Sequence, residues 1–262
     1  MLKTPTVKRL NELADHILRG GRVDGWVEAG DSMSPEYRQR IVELMARQGM
    51  VELHGAPTFY AMLPYCPGPA AAHAMGKVVW EELHHGKLNL ECLAPFGVDA
   101  TPLYRAVMGP QDARLRHQRP RQEVRSWHDV IAFTMLIDPA GFLVIGHFME
   151  TSYAPWARAQ ARVLREERSH CEYWERWIDD MAEHVEGRAR LQESVDRTMP
   201  GALGALGRPG AMSKSFARDR ALGIRPVDPA VMIDELKEIL EPTLGRLGLR
   251  LPDCQPNYAM GL

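Results

Sequence analysis

The chain has 262 residues, 45% hydrophobic and 25% charged, with a formal net charge of −2, which is ordinary usage for a globular protein able to bury a sizeable core. That balance gives no reason to expect nucleic acid or an anionic membrane as partner, no apolar run reaches the roughly 18 residues of a spanning helix, and Met1-Leu2-Lys3-Thr4-Pro5 lacks a secretion signal's apolar block, so a cytoplasmic address is expected. The four cysteines, at 66, 92, 171 and 254, show no C-x-x-C spacing, so neither a zinc ribbon nor an iron–sulfur site is indicated, and Cys92 and Cys171 read as buried thiols.

In chain order the pattern is almost entirely helical, and no linker is long enough to divide residues 1–262 into two domains. An amphipathic helix is expected over 7–18, stopping at Gly20-Gly21. Ser34-Pro35-Glu36 has Ser as cap and Pro in the first turn, so a second helix is expected over about 35–56. It carries Ile41, Met45, Gln48, Glu52 and Gly55 on one side and should break near Pro57 or Pro64. After the loop Pro67-Gly68-Pro69, a third helix covers 70–93. Residues 95–125 are less regular and rich in Arg, with at most a short helix near 102–108. A second long pair is expected over 127–149 and 155–184. Smaller helices follow at about 188–197, 211–220 and 229–240, the last ending before Pro242. No strand-period pattern persists.

Two matching strings lie on these helices. Glu82-Leu83-His84-His85 and Glu167-Arg168-Ser169-His170 each place a Glu and a His three residues apart, on one helix face. Glu52 lies 30 residues before Glu82, and Asp138 lies 29 before Glu167. A separation of that size suits two antiparallel helices, which return the chain to the same height. A carboxylate helix followed by a Glu-x-x-His helix, used twice, is the ligand set of a di-iron carboxylate four-helix bundle. One Glu-x-x-His is common on a solvated face. Here the two copies sit on mainly apolar stripes, through Met75, Val78 and Val79 in one and Trp156, Val163, Leu164 and Trp174 in the other. An unpaired carboxylate facing a core is costly, and a metal is the usual compensation. Asp138 has two readings from the string alone. Asp138-Pro139 fits an N-cap followed by Pro, or a ligand on one long helix that runs through Pro139.

With these residues identified, the chain resembles the catalytic subunit family of bacterial phenylacetyl-CoA epoxidase, whose members are ferritin-like di-iron oxygenases of phenylacetate catabolism. The likeness is carried by Asp138, by Thr151-Ser152-Tyr153-Ala154-Pro155-Trp156-Ala157-Arg158-Ala159 with Glu166-Glu167-Arg168-Ser169-His170, and by Lys77-Val78-Val79-Trp80-Glu81-Glu82-Leu83-His84-His85-Gly86. It implies an antiparallel four-helix bundle with additional peripheral helices. It further implies that Glu52, Glu82, His85, Asp138, Glu167 and His170 are the catalytic metal ligands, with Glu82 and Glu167 able to bridge two ions. Two departures stand out: Pro139 occupies a position that is usually Gly, and the chain stops soon after 249–253, where catalytic members commonly continue with further helices.

The chemistry suits the donors. Carboxylates and imidazoles without thiolates favour iron, with manganese the other candidate, and two ferrous ions can deliver two electrons to O2. The expected function is a di-iron monooxygenase that epoxidises or hydroxylates an aromatic or unsaturated substrate, a CoA thioester such as phenylacetyl-CoA on the resemblance. The alternatives are a di-iron oxidase or hydroxylase of another small molecule, and a non-catalytic ferritin-like structural subunit; an iron-storage role lacks any signal for a shell. With neither a G-x-G-x-x-G fingerprint nor a cysteine cluster, the chain needs a separate reductase fed by NAD(P)H. Further partners implied are a helical structural subunit or a second copy of the chain. Arg114, Arg116, Arg119, Arg121 and Arg125 form a basic segment that reads either as a solvated charge run or as a face for CoA phosphates or an acidic partner. Gly55 and Gly141 are candidates for leaving room at the pocket, whereas Glu81, His84 and Glu166, one position off the ligands, should point away from the metal.

Overall fold

The computed structural model describes residues 3–109, 124–210, 216–225 and 227–258. It is an all-α, ferritin-like fold. Helix α1 spans Pro5–Leu18, α2 Pro35–Tyr60, α3 Pro69–Glu91 and α4 Thr101–Met108. Beyond residues 110–123 come α5 (Trp127–Phe148), α6 (Ala154–Tyr173), α7 (Glu175–Ala182), α8 (Val185–Ala205), α9 (Phe216–Ala221) and α10 (Pro229–Arg246). Among the described residues there is no strand, only an isolated bridge between Val27 and Tyr153. Four arginines of the basic segment, at 114, 116, 119 and 121, lie outside the described residues.

The helix starts follow local chemistry. Ser34 Oγ accepts from the Tyr37 amide at 3.1 Å, with Pro35 in the first turn of α2, and Thr4, Ser126 and Asp228 cap α1, α5 and α10 in the same way. Helices α2, α8 and α10 run past their expected ends at 56, 197 and 240, whereas α5 matches the expected 127–149 to within one residue. Proline does not terminate these helices: Pro57 lies within α2, Pro139 within α5, Pro200 within α8 and Pro242 within α10. Each proline removes one backbone hydrogen bond, but Ala56, Phe59, Ala140, Met199, Thr243 and Leu244 beside them are buried, and that packing outweighs the lost bond. The expected helix over 155–184 is instead two, divided at Trp174.

Pairings along the helices give their directions. A methyl group added to Gly49, Gly86 or Gly55 would strike Leu90, Leu53 and Glu82 respectively, so α2 and α3 run antiparallel with backbones in close approach. Between α5 and α6, Asp138 meets Trp174, Gly141 lies by Glu167, and Phe148 packs on Trp156 with ring centroids 4.6 Å apart. That pair is antiparallel too. Helices α3 and α6 then join the two hairpins along a polar seam, while α1, α8 and α10 pack around α5 and α6. Helix α5 is the most apolar and corrects the expectation that no stretch is long enough to span. An 18-residue window of mean hydropathy 1.7 is long and apolar enough to cross a membrane, because Asp138 interrupts the apolar run without lowering its mean much. In the fold 89% of that window is buried, so its surface is covered by neighbouring helices.

Candidate metal centre

The bundle brings the two Glu-x-x-His motifs and both upstream acids to one buried place. Glu52, Glu82, Asp138 and Glu167 are each 4–7% exposed, and His85 and His170 are fully buried. The donor atoms of Glu52, His85 and Glu167 lie within 4.8 Å of one another, as do those of Glu82, Glu167 and His170. Glu167 belongs to both groups. Its Oε1 is 3.1 Å from His85 Nδ1, and its Oε2 is 3.6 Å from His170 Nδ1. Glu52 Oε2 approaches His85 Nδ1 at 3.5 Å, and Glu82 Oε1 approaches His170 Nδ1 at 3.9 Å. The grouping therefore crosses the motifs, because His85 joins Glu167 of the opposite helix rather than Glu82 of its own.

The imidazoles are oriented from outside. His85 Nε2 lies 3.0 Å from Glu166 Oε2, and His170 Nε2 lies 3.0 Å from Glu81 Oε2. Each carboxylate that precedes one motif's Glu thus holds the other motif's His. These residues do point away from the centre, as their offset required, but they have a specific task there. The five-residue repeat, Glu81-Glu82-x-x-His85 and Glu166-Glu167-x-x-His170, carried that signal in the sequence. Below, Asn89 ties the helices together: its amide nitrogen donates to the His85 carbonyl at 3.0 Å, and its oxygen accepts from Trp156 Nε1 at 2.7 Å and Gln160 Nε2 at 2.6 Å.

The other two acids are held singly. Gln48 donates to Glu52 Oε1 one turn further on. Trp174 Nε1 donates to Asp138 Oδ2 at 3.0 Å, which uses the indole at the break between α6 and α7. Helix α5 runs unbroken through Asp138 and Pro139, so Asp138 is not an N-cap. It faces the same cavity as Glu52, Glu82 and Glu167 but stands outside both convergent groups.

Electrostatics separates these acids. Burial, then the charges of Glu167 and Glu52, push Glu82 well above the ordinary carboxylate range. Burial pushes Asp138 up to about 8. Burial works against charge on Glu167 as well, but His170 and His85 hold it below its ordinary value. Desolvation pulls both imidazoles down, and their carboxylate partners more than reverse it, raising His85 and His170 well above the usual histidine value.

The residues fit a pair of metal ions. Nδ1 of His85 and Nδ1 of His170 are buried without a hydrogen bond, although carboxylate oxygens surround them. Both Nε2 atoms are committed outward, which leaves each Nδ1 lone pair available to an ion, the arrangement that a carboxylate behind the ring imposes on a ligating histidine. The site also depends on missing side chains. A Cβ on Gly55 would overlap the Glu82 carboxylate, and one on Gly141 would sit 3.5 Å from Glu167 Oε2. Beside the carboxylates lies a cavity of about 260 Å³, walled by Phe59, Phe133, Ile137, Val144 and Ile145 and roofed by Gly201 and Ala205 of α8.

Fold and site together define a ferritin-like helical protein with a duplicated carboxylate–histidine cluster capable of holding metal. The sequence profile of the phenylacetic acid catabolic protein family matches residues 14–261, and the chain belongs to that family. It is also similar to a 1,2-phenylacetyl-CoA epoxidase subunit from Escherichia coli (strain K12), at 21% identity over 229 residues, covering 87% of this chain and 73% of that protein.

Proposed function

We propose that this chain is the oxygenase component of a di-iron monooxygenase, working as one ferritin-like unit on an aromatic or unsaturated acyl substrate carried as a CoA thioester. The observation that carries the reading is the pair of buried, unpartnered Nδ1 atoms of His85 and His170 on either side of Glu167. Family membership and the likeness to an epoxidase component support it. Glu52, His85 and Glu167 would hold one ion and Glu82, Glu167 and His170 the other, with Glu167 shared and Asp138 as a sixth ligand released from Trp174. Two ferrous ions bound there would supply two electrons to O2. Over a full turnover one oxygen atom enters the substrate and the other leaves as water, so two electrons and two protons must come from outside.

The chain's own residues set the conditions for that chemistry. Glu81 and Glu166 fix the imidazoles before any ion binds, so the ligand set needs little rearrangement. The apolar wall of Phe59, Phe133 and Ile137 favours a ring over a charged group and keeps water from the reacting end. A cavity of about 260 Å³ takes the acyl end alone, which leaves the rest of a thioester outside it. The electrons come from a separate reductase using NAD(P)H.

The test begins with metal analysis of the purified chain, then assays phenylacetyl-CoA and related thioesters with O2, NAD(P)H and a reductase. About two iron ions per chain and oxygenated product are expected. A chain that binds no redox-active metal after reconstitution with ferrous iron would overturn the reading. Product formed by the chain with NAD(P)H alone would overturn the need for a reductase.

A further inference from the structure

We infer that the exposed face along the α3–α6 seam is the docking surface for an acidic one-electron carrier protein, and that Trp80 is where its electrons arrive. The inference rests on the metal reading above and adds to it the location and chemistry of the partner.

Trp80 is 60% exposed in a fold that buries Trp156 and Trp174 completely. Its ring stacks on His84, centroids 5.5 Å apart and planes at 20°. His84 Nδ1 lies 3.1 Å from Glu166 Oε2, and that same oxygen lies 3.0 Å from His85 Nε2. His85 Nδ1 faces the carboxylate cluster. One stack and two hydrogen bonds therefore connect a surface indole to a candidate ligand without a gap. Fixing an imidazole does not require this. Glu81 performs that task for His170 and is tied on its other oxygen to the half-exposed Lys77, 3.4 Å away, whereas Glu166 is shared with a second imidazole that stacks on the exposed indole.

The surroundings specify the partner. Arg162 lies one turn from Glu166 on α6, and Arg165 adjoins it; both are exposed and in no ion pair among the described residues. Lys77 and Lys87, on α3 before and after Trp80, are 49% and 62% exposed, Lys77 paired with Glu81 at 3.4 Å and Lys87 with Glu91 at 2.7 Å. An exposed indole with two arginines on the neighbouring helix, unpaired among the described residues, matches a partner with an acidic rim, since opposite potentials steer encounter and Trp and Arg are the residues that anchor interfaces. Each encounter oxidises the carrier by one electron, and two encounters deliver the two electrons that a turnover requires.

The probe is a plant-type [2Fe–2S] ferredoxin, an acidic one-electron carrier. Calorimetry with the metal-free chain should show binding that weakens with salt, and the Arg162→Glu, Arg165→Glu double variant should bind about tenfold more weakly. Carbodiimide cross-links should map to Lys77 and Lys87. Absence of binding at low salt, equal binding by the double variant, or cross-links confined to another face would overturn the docking surface. With iron loaded and ferredoxin saturating, Trp80→Leu should lose most of the ferredoxin-driven reduction, followed by absorbance, while keeping its iron content and its reduction by methyl viologen. Unchanged reduction by ferredoxin would overturn the role of Trp80. If the wild-type chain takes up no iron, the metal reading fails, and the calorimetry and cross-links still judge the docking face.

Discussion

The two sides of the centre are built differently. On the α3–α6 side the outward-facing ring nitrogens and Asn89 are engaged, His170 with Glu81, His85 with Glu166, and Asn89 with Trp156, Gln160 and the His85 carbonyl, while the two inward Nδ1 atoms stay without a hydrogen bond. On the α2–α5 side each acid has one hydrogen-bonding neighbour, Gln48 for Glu52 and Trp174 for Asp138, and the wall between them is Gly55, Ala140, Gly141 and apolar side chains around a cavity. A satisfied polar network is rigid, whereas small residues beside singly held carboxylates leave both space and freedom to move. The seam therefore fixes the imidazoles, and the opposite side has the space that the proposed substrate and a shifting ligand would need.

Removing the carboxylate common to both convergent groups should have the largest effect. Glu167→Ala takes a ligand from each group at once, and metal content and turnover should both be lost. Asp138→Ala, on the open side and outside both groups, should keep most of the metal. Equal metal loss in the two variants, measured by elemental analysis, would erase the distinction between the sides.

Next in size are the two carboxylates behind the imidazoles. Glu81→Ala leaves His170 Nε2 without its partner, and metal affinity should fall about 10- to 100-fold while the fold survives. Glu166→Ala should do the same through His85. Competition titration against a chelator measures this, and unchanged affinity would mean that the seam does not orient the ligands.

The glycines sharpen the contrast within the open side. Gly55→Ala forces its methyl into the Glu82 carboxylate and should cost metal affinity. Gly141→Ala meets Glu167 at an ordinary 3.5 Å, so its metal content should hold. Its effect should fall on substrate affinity, through a smaller cavity.

The smallest effect is a shift of stability with pH. In the metal-free chain Asp138 is raised from 3.8 to about 8, and His85 and His170 are raised above their ordinary value. Groups raised on folding contribute stability that is fully present below their unfolded pKa and is lost as pH rises through the folded one. The metal-free chain should therefore melt at progressively lower temperature as pH rises from about 4, the ordinary Asp value, through about 8, the folded value of Asp138, with both histidines adding to the loss above their ordinary value. Metal uptake must expel the same protons, so affinity should rise over that window, and the difference in Tm with and without Mn2+ should widen. Scanning calorimetry in both states checks the sign.

The sequence by itself determined the all-α class, most of the long helices and the candidate ligands that the fold brings to one buried place. Those are local or periodic properties: apolar stripes at helical spacing, Ser34 and Ser126 as caps, and a repeated Glu-x-x-His with an acid some 30 residues upstream. Only the tertiary structure decided how those residues are shared. That His85 groups with Glu167 rather than Glu82 depends on the register of α3 against α6, which no spacing within one helix encodes. That Glu81 and Glu166 exchange partners across the seam depends on the same register. Asp138-Pro139 is ambiguous in the sequence for a related reason: proline's local preference favours a helix start, and the burial of α5 on all sides overrides it. Packing likewise carries α2, α8 and α10 through Pro57, Pro200 and Pro242, because the apolar surface each helix buries outweighs one missing backbone hydrogen bond.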